Sequence, residues 1–585
     1  MKTEWNLDFA NEKTFSAFRI EAERVYDDFV SRWKENSTYL DAPETLLEAL
    51  NDYENIVRKY SGCGNEGYFY WLKQELNQAD SKIRQKFLKA EEFAKAQSNK
   101  VLFFTISLSK ISEEKQKEFL ENKILEKYRG FLFRIFENAK YVLSEPEEKI
   151  LSLKESGSLG MWVKMVESLL SKETFDLDGK ERTYDELLSI MESPNKKLRD
   201  EAKEGFEKIM SKYEDVAEVE LNAVLENAKV DDELRGFVRP DEVRIKGDSI
   251  DLEFVDSLLE AVKEKFYLSH KYYSLVAKLI GQEKMGYYER NVGAGEIEKK
   301  YSYEEGVEMV KEVFSRLDKE FLKIFEQMLD EGKIDAFPKK GKQGGAFCVG
   351  VGLNKPVYVL LNYTENLRDV TTIAHEMGHA INDVFMQKKV DALNFGTPKA
   401  TAEVASIFME DFVFEKILEN STDEEKFYLI FKKIGDEIGS IFRQIALYLF
   451  ELEIHKTYRK EGYLSKEKIG EMFVKHMSEY LGDAVDMGNA HLWWIYWSHI
   501  RMYFYVYSYA SGALISKTMQ EKYRKDNSFI EKIKIFLETG EAKTPREIFA
   551  ELGIKIDKKF FSEGLNSIEK NLDEVISLGK KLGKL

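Results

Sequence analysis

A chain of 585 residues, 43% hydrophobic and 33% charged, has ample material for a core and reads as a large globular protein of several lobes or domains. Its net charge of -17 has no offsetting basic stripe, which excludes the electrostatic footprint of a nucleic-acid binder. Two cysteines, Cys63 and Cys348, exclude a disulfide framework and suit a reducing compartment, while only eight prolines suit a mainly α-helical fold.

In chain order, Met1 to Asn6 carries no apolar signal core, so a cytoplasmic location is expected. Residues 13–140 read as successive long helices with charged faces, among them Glu44 to Tyr60 and Glu113 to Tyr141. A second helical block follows Pro146, and Pro194 caps a segment near Asn195-Lys196-Lys197. Val238 to Asp251, with Pro240, reads as an extended link. Tyr287 to Glu296, with Gly293 and Gly295, reads as another non-helical connection. We divide the chain into an N-terminal helical lobe, 1–200, and a domain over 201–585 that holds the motifs below. No internal repeat is visible.

The main β signal is Lys339 to Asn362, where glycines punctuate Ala346-Phe347-Cys348-Val349 and Pro356 precedes Val357 to Leu361. A hairpin or small sheet is expected, with an edge to which an extended peptide could add. A purely structural hairpin is the competing reading, and the phosphate-loop pattern is absent.

His375-Glu376-Met377-Gly378-His379 follows. If Asp369 to Met386 is helical, with Asp369 as its N-cap, residues four apart share a face. His375 and His379 then bind one cation side by side. Glu376, one position round, would take a proton from a water at the open coordination position. Gly378 costs a helix interior about 1 kcal/mol, so another backbone, a substrate or a tight helix crossing is expected there. Catalytic zinc needs a third ligand. Asn382 and Phe385 stand where a third-histidine pattern needs Gly and His. The alternative is a carboxylate on a following helix that opens at Thr397-Pro398. Glu403, set among alanines and aliphatics, is the expected ligand, with Glu410 as the substitute, and one Zn2+ per chain is the expected cofactor. Glu410, two turns further on, is placed to accept from the far nitrogen of a ligand histidine, whereas Asp411 and Glu415 read as solvated. Cys348 is given no metal or nucleophile role.

Leu360 to Asn366, the run Asp369 to Ala374 into the motif, and Ala402-Glu403-Val404-Ala405-Ser406 with Glu410 resemble the oligoendopeptidase F branch of the thimet oligopeptidase family. The resemblance continues through Tyr505-Val506-Tyr507-Ser508-Tyr509-Ala510-Ser511-Gly512 and Phe536 to Gly540 with Pro545, and more weakly back to Trp162. It implies a mainly α, two-lobed body around a deep substrate channel and a zinc endopeptidase acting on short peptides.

His491 to Ile515 is aromatic enough to mimic a membrane span, but His491, His499 and Arg501 inside it argue for a buried helix and against a membrane partner. Stabilising the oxyanion of amide hydrolysis needs donors, and His499 with Tyr503, Tyr505, Tyr507 and Tyr509 offers them. The resemblance points first to His499 and Tyr509, with Tyr505 and Tyr507 still open. Short peptides are the expected partners. A zinc carboxypeptidase is the rival enzyme and would need a cation such as Arg501 for the substrate's terminal carboxylate. A zinc-stabilised scaffold is disfavoured, since structural zinc usually has four protein ligands.

Overall fold

Helix-favouring sequence with amphipathic spacing is realised as 25 α-helices, joined by short 3-10 turns and three small sheets among the described residues. The computed structural model describes residues 1–61, 64–293, 295 and 299–585, so Cys63 and the end of the expected connection at Glu296 lie outside them. No described helix is long and apolar enough to cross a membrane.

The chain divides into two units, neither continuous in sequence. The first comprises Met1–Glu145, Lys299–Ile417 and Met519–Ile554. Its helices Phe15–Trp33, Pro43–Tyr60 and Ser81–Ser109 enclose a core around Phe29, Trp33, Tyr39 and Phe104. The expected helix from Glu113 to Tyr141 is broken. Helix Glu113–Glu121 stops at Asn122, whose side chain accepts the Ile124 N–H and starts a 3-10 turn before helix Arg129–Glu137. The expected sheet is present. Strand Tyr358–Leu360 lies between Ile334–Asp335, parallel to it, and Phe347–Val349, antiparallel with Cys348 opposite Val359. Phe347–Val349 is thus an edge strand.

The second unit comprises Pro146–Glu298, Leu418–Thr518 and Lys555–Leu585. Two sequence readings are corrected in it. Within Val238 to Asp251, Glu242–Gly247 is helical. The block after Pro146 contains an unforeseen hairpin, Thr174–Leu177 with Lys180–Thr183. Its turn is Asp178-Gly179, both at positive φ (54° and 72°), the backbone that a two-residue hairpin demands.

Glu451 on helix Gln444–Glu461 is fully buried; one carboxyl oxygen accepts the Phe504 N–H at 2.7 Å and the other has no partner among the described residues. Burial lifts its pKa from 4.5 to about 8. Between these values the folded chain holds a proton that the unfolded chain has lost. Its contribution to stability is therefore complete below about 4.5 and is lost as pH rises towards 8. The melting temperature should fall over that interval, and Glu451→Gln should flatten the fall. A slope unchanged in the variant would assign the titration to another group.

Candidate active site

Helix Leu367–Lys389 carries the motif. Its N-cap is Asn366, not Asp369; Asp369 is the third helical residue and returns the bond to the cap, so the two form a reciprocal capping box. Ile373, Ala374, Met377, Ala380 and Ile381 are fully buried, and this turns the histidines to the half-exposed side. The rings of His375 and His379 lie 5.1 Å apart at 78°.

The second helix begins later than expected. Lys399–Thr401 forms a 3-10 turn and helix Val404–Glu419 follows, so Glu403 stands on the threshold of the helix. Ser406 Oγ donates to Glu403 Oε2 at 3.0 Å. The same oxygen lies 3.4 Å from His375 Nε2 and 3.5 Å from His379 Nε2. Ligands held about 2.1 Å from a tetrahedral centre are separated by about 3.4 Å, so the three donor atoms fit a zinc-sized ion. They are the one such His/Cys/Asp/Glu group among the described residues.

Glu410 Oε2 lies 2.8 Å from His375 Nδ1. A proton held there leaves Nε2 with its lone pair turned towards Glu403. Without a cation, burial opposes charge on His375, but Glu403 and Glu410 outweigh it and hold the imidazole at about 10. Burial likewise raises Glu403, and the two imidazoles overcome it, leaving the carboxyl well below its usual range. Glu376 is only 7% exposed, and burial raises its pKa. Cys348 is half-buried by exposure; burial pushes its thiol far above the thiolate range.

Gly378 explains itself here. A Cβ at this position would sit 2.5 Å from Ser406 Cα and 2.6 Å from the Ala405 carbonyl oxygen, so the two helices meet backbone to backbone. Asp411, expected to be solvated, is buried and accepts from Gln520 at 2.8 Å; Glu415 pairs with Arg524. Sequence reasoning passed over Asp383, one turn beyond His379, whose carboxyl burial lifts to about 7. The i,i+4 spacing from His379 was the available signal.

In the second unit, His491 to Ile515 is not one helix. Turns at Ala490–Leu492 and Ser498–Arg501 precede helix Tyr507–Lys525. Between them Tyr503 and Phe504 both take positive φ, 48° and 59°, rare for aromatic residues. Arg244 holds the bend by donating to the Tyr503 and Met502 carbonyls at 3.0 and 2.8 Å, and Glu451 takes the Phe504 N–H. His499 Nε2 comes to 3.4 Å from Tyr509 Oη, and the Tyr505 ring packs edge-on to Tyr509 at 5.4 Å. Burial and then Arg443 lower the His499 pKa, favouring a neutral ring. The other two tyrosines are committed elsewhere. Tyr507 Oη donates to Asp248 at 2.6 Å, and Tyr503 Oη donates to the Val224 carbonyl at 3.1 Å. Arg501 is spent on Glu220 at 2.8 Å and on the Trp494 and Trp497 carbonyls, with 4% of its side chain exposed. It cannot hold a substrate carboxylate.

Comparisons with known proteins give the family and the fold. The model of peptidase family M3 matches residues 189–565, and that of the oligopeptidase F N-terminal region matches 108–175. An oligoendopeptidase F homolog from Borreliella burgdorferi is 26% identical over 98% of this chain and 97% of its own. Oligopeptidase PepF from Bacillus subtilis is 24% identical over 92% and 82%. The crystal structure of oligoendopeptidase-F from Enterococcus faecium has the same fold, with a TM-score of 0.72 at 18% identity over 97% of this chain and 99% of that one. The chain belongs to peptidase family M3, on its oligoendopeptidase F branch.

Proposed function

We propose that this protein is a zinc endopeptidase that hydrolyses internal bonds of short peptides, with His375, His379 and Glu403 as ligands and Glu376 as general base. The observation that carries the reading is the meeting of three donor atoms within 4.8 Å, next to Glu376, in a chain of this family. When bound, zinc would polarise the scissile carbonyl and acidify a neighbouring water. Glu376 takes the proton of the attacking water and passes it to the leaving amine. Glu410 keeps His375 in the tautomer that offers Nε2. His499 and Tyr509 donate to the developing oxyanion, with Tyr505 packed against Tyr509. The Phe347–Val349 edge offers main chain to which an extended peptide would pair irrespective of sequence. The two cysteines fit a reducing cytoplasm.

The test is cleavage of short peptides blocked at both ends. Internal cleavage, abolished by chelation and restored by zinc, is expected. Strict dependence on a free terminus would replace this reading with an exopeptidase. Tyr509→Phe removes one hydroxyl and little volume, so the fold should survive while kcat falls roughly 10²- to 10³-fold with a smaller change in KM. Tyr507→Phe, whose hydroxyl already serves Asp248, is the control. Equal mild losses at both positions would reduce Tyr509 to a packing residue.

A further inference from the structure

The second unit matches its buried arginines with carboxylates. Arg199 meets Glu289 at 2.9 Å, and Arg501 meets Glu220 at 2.8 Å. Arg290 departs from this: it is 5% exposed, yet among the described residues it has no ion-pair partner. Its guanidinium lies over the rings of Tyr287 and Trp493, at 4.2 and 4.3 Å, and donates to the Tyr287 carbonyl at 3.0 Å. Its Nε finds no acceptor. Ring faces offset part of the cost of burying a cation, and a carboxylate offsets more. Arg443 repeats the pattern: it lies 5.8 Å over Trp497 and 3.4 Å from Asn291 Oδ1, and among the described residues its Nε has no partner and no carboxylate comes within ion-pair distance.

Both arginines line a cavity of about 400 Å³, together with Gln444, Trp493, Trp497 and His499. That volume is in the range of ligand sites. Gln444 is 9% exposed and its side-chain oxygen has no donor. Asp185 and Glu192 also border the space, but both are exposed and neither reaches ion-pair distance of either arginine. Among the described residues, the cavity therefore presents two cations without an ion-pair partner, an acceptor without a donor, and flat aromatic walls.

We propose that this cavity binds a carboxylate of the peptide substrate, either its terminal α-carboxylate or an acidic side chain, through Arg290 and Arg443. Gln444 accepts the neighbouring amide N–H, and the tryptophans pack the chain beside it. Because His499 lines the same space, the anchored peptide lies next to the His499–Tyr509 pair. This anchor rests on the peptidase reading above and narrows its substrates to peptides that carry a carboxylate.

Three matched peptides test it: a free acid, its C-terminal amide, and the amide with one internal glutamate. The wild-type enzyme should favour the free acid or the glutamate peptide over the neutral amide by roughly 10- to 100-fold in kcat/KM, carried mainly by KM. Preference for the free acid identifies the terminus, and preference for the glutamate peptide identifies a side chain. Arg443→Gln should draw the ratio towards one, and Arg443→Lys should leave an intermediate ratio, since charge persists while the bidentate fork is lost. Equal efficiency on all three peptides in the wild type, or a ratio untouched by Arg443→Gln, overturns the proposal. Calorimetric titration of the Glu376→Gln protein with the same peptides separates the two readings. Roughly 10-fold tighter binding of an acid than of the amide, with no peptide cleaved by the wild type, keeps the anchor and removes the peptidase reading. Cleavage of all three with equal binding does the reverse.

Discussion

Glu376→Gln is expected to retain zinc and fold while kcat falls by at least about 100-fold, the lower range for loss of a general acid–base group. The substitution changes almost no volume, which matters because Glu376 is 7% exposed and sits on a helix whose opposite side is fully buried. An amide cannot accept the proton of an attacking water or return it to the amine. The neighbouring carboxylates are no substitute: Glu403 faces both histidines and Glu410 faces His375 Nδ1. Metal content, melting temperature and kcat measured on one preparation decide the matter. Near-normal turnover with full metal would move the base elsewhere and leave Glu376 a polarising neighbour.

His379→Ala should lose most of its zinc, and with it measurable hydrolysis. Glu403 Oε2 stands almost equally far from the two imidazoles, 3.4 and 3.5 Å, so removing one leaves a two-donor site where catalytic zinc takes three. The ring is half-exposed, which limits the damage to the core, and thermal stability of the metal-free forms should be similar. Elemental analysis after dialysis gives the readout. One zinc per chain in the variant would contradict the ligand assignment.

Local signals in the chain were legible where one residue type serves one purpose. The motif helix follows from apolar positions at 373, 374, 377, 380, 381 and 384, and its own spacing turns His375 and His379 together. Its start was misplaced by three residues because Asn366 and Asp369 each carry half of a reciprocal cap, and either reads as the first residue. Glu403 stood out as a carboxylate among apolar neighbours, although the helix beyond it opens only at Val404. The hairpin at Asp178-Gly179 had a readable turn that strongly charged flanks obscured. The aromatic run from His491 looked continuous because two aromatic residues at positive φ have no sequence signature; Arg244 and Glu451, 259 and 53 residues away in the chain, impose the bend. Arginines 290, 443 and 501 look alike in sequence. Which of them meets a carboxylate depends on packing between distant segments.

The missing methyl group at Gly378 acts as a spacer gauge. The distance from the histidine pair to Glu403 is set by main chain resting on main chain at Ala405 and Ser406, with no side chain to flex between them. Adding a single carbon as alanine must push the helices apart or tilt one of them. The donor triangle would then open without any donor being altered. Gly378→Ala should therefore weaken zinc retention at a position that never touches the ion, even though helix propensity alone favours alanine there by about 1 kcal/mol. With His375, His379 and Glu403 as the proposed ligands, metal affinity should depend on backbone thickness as well as on the chemistry of the three donors.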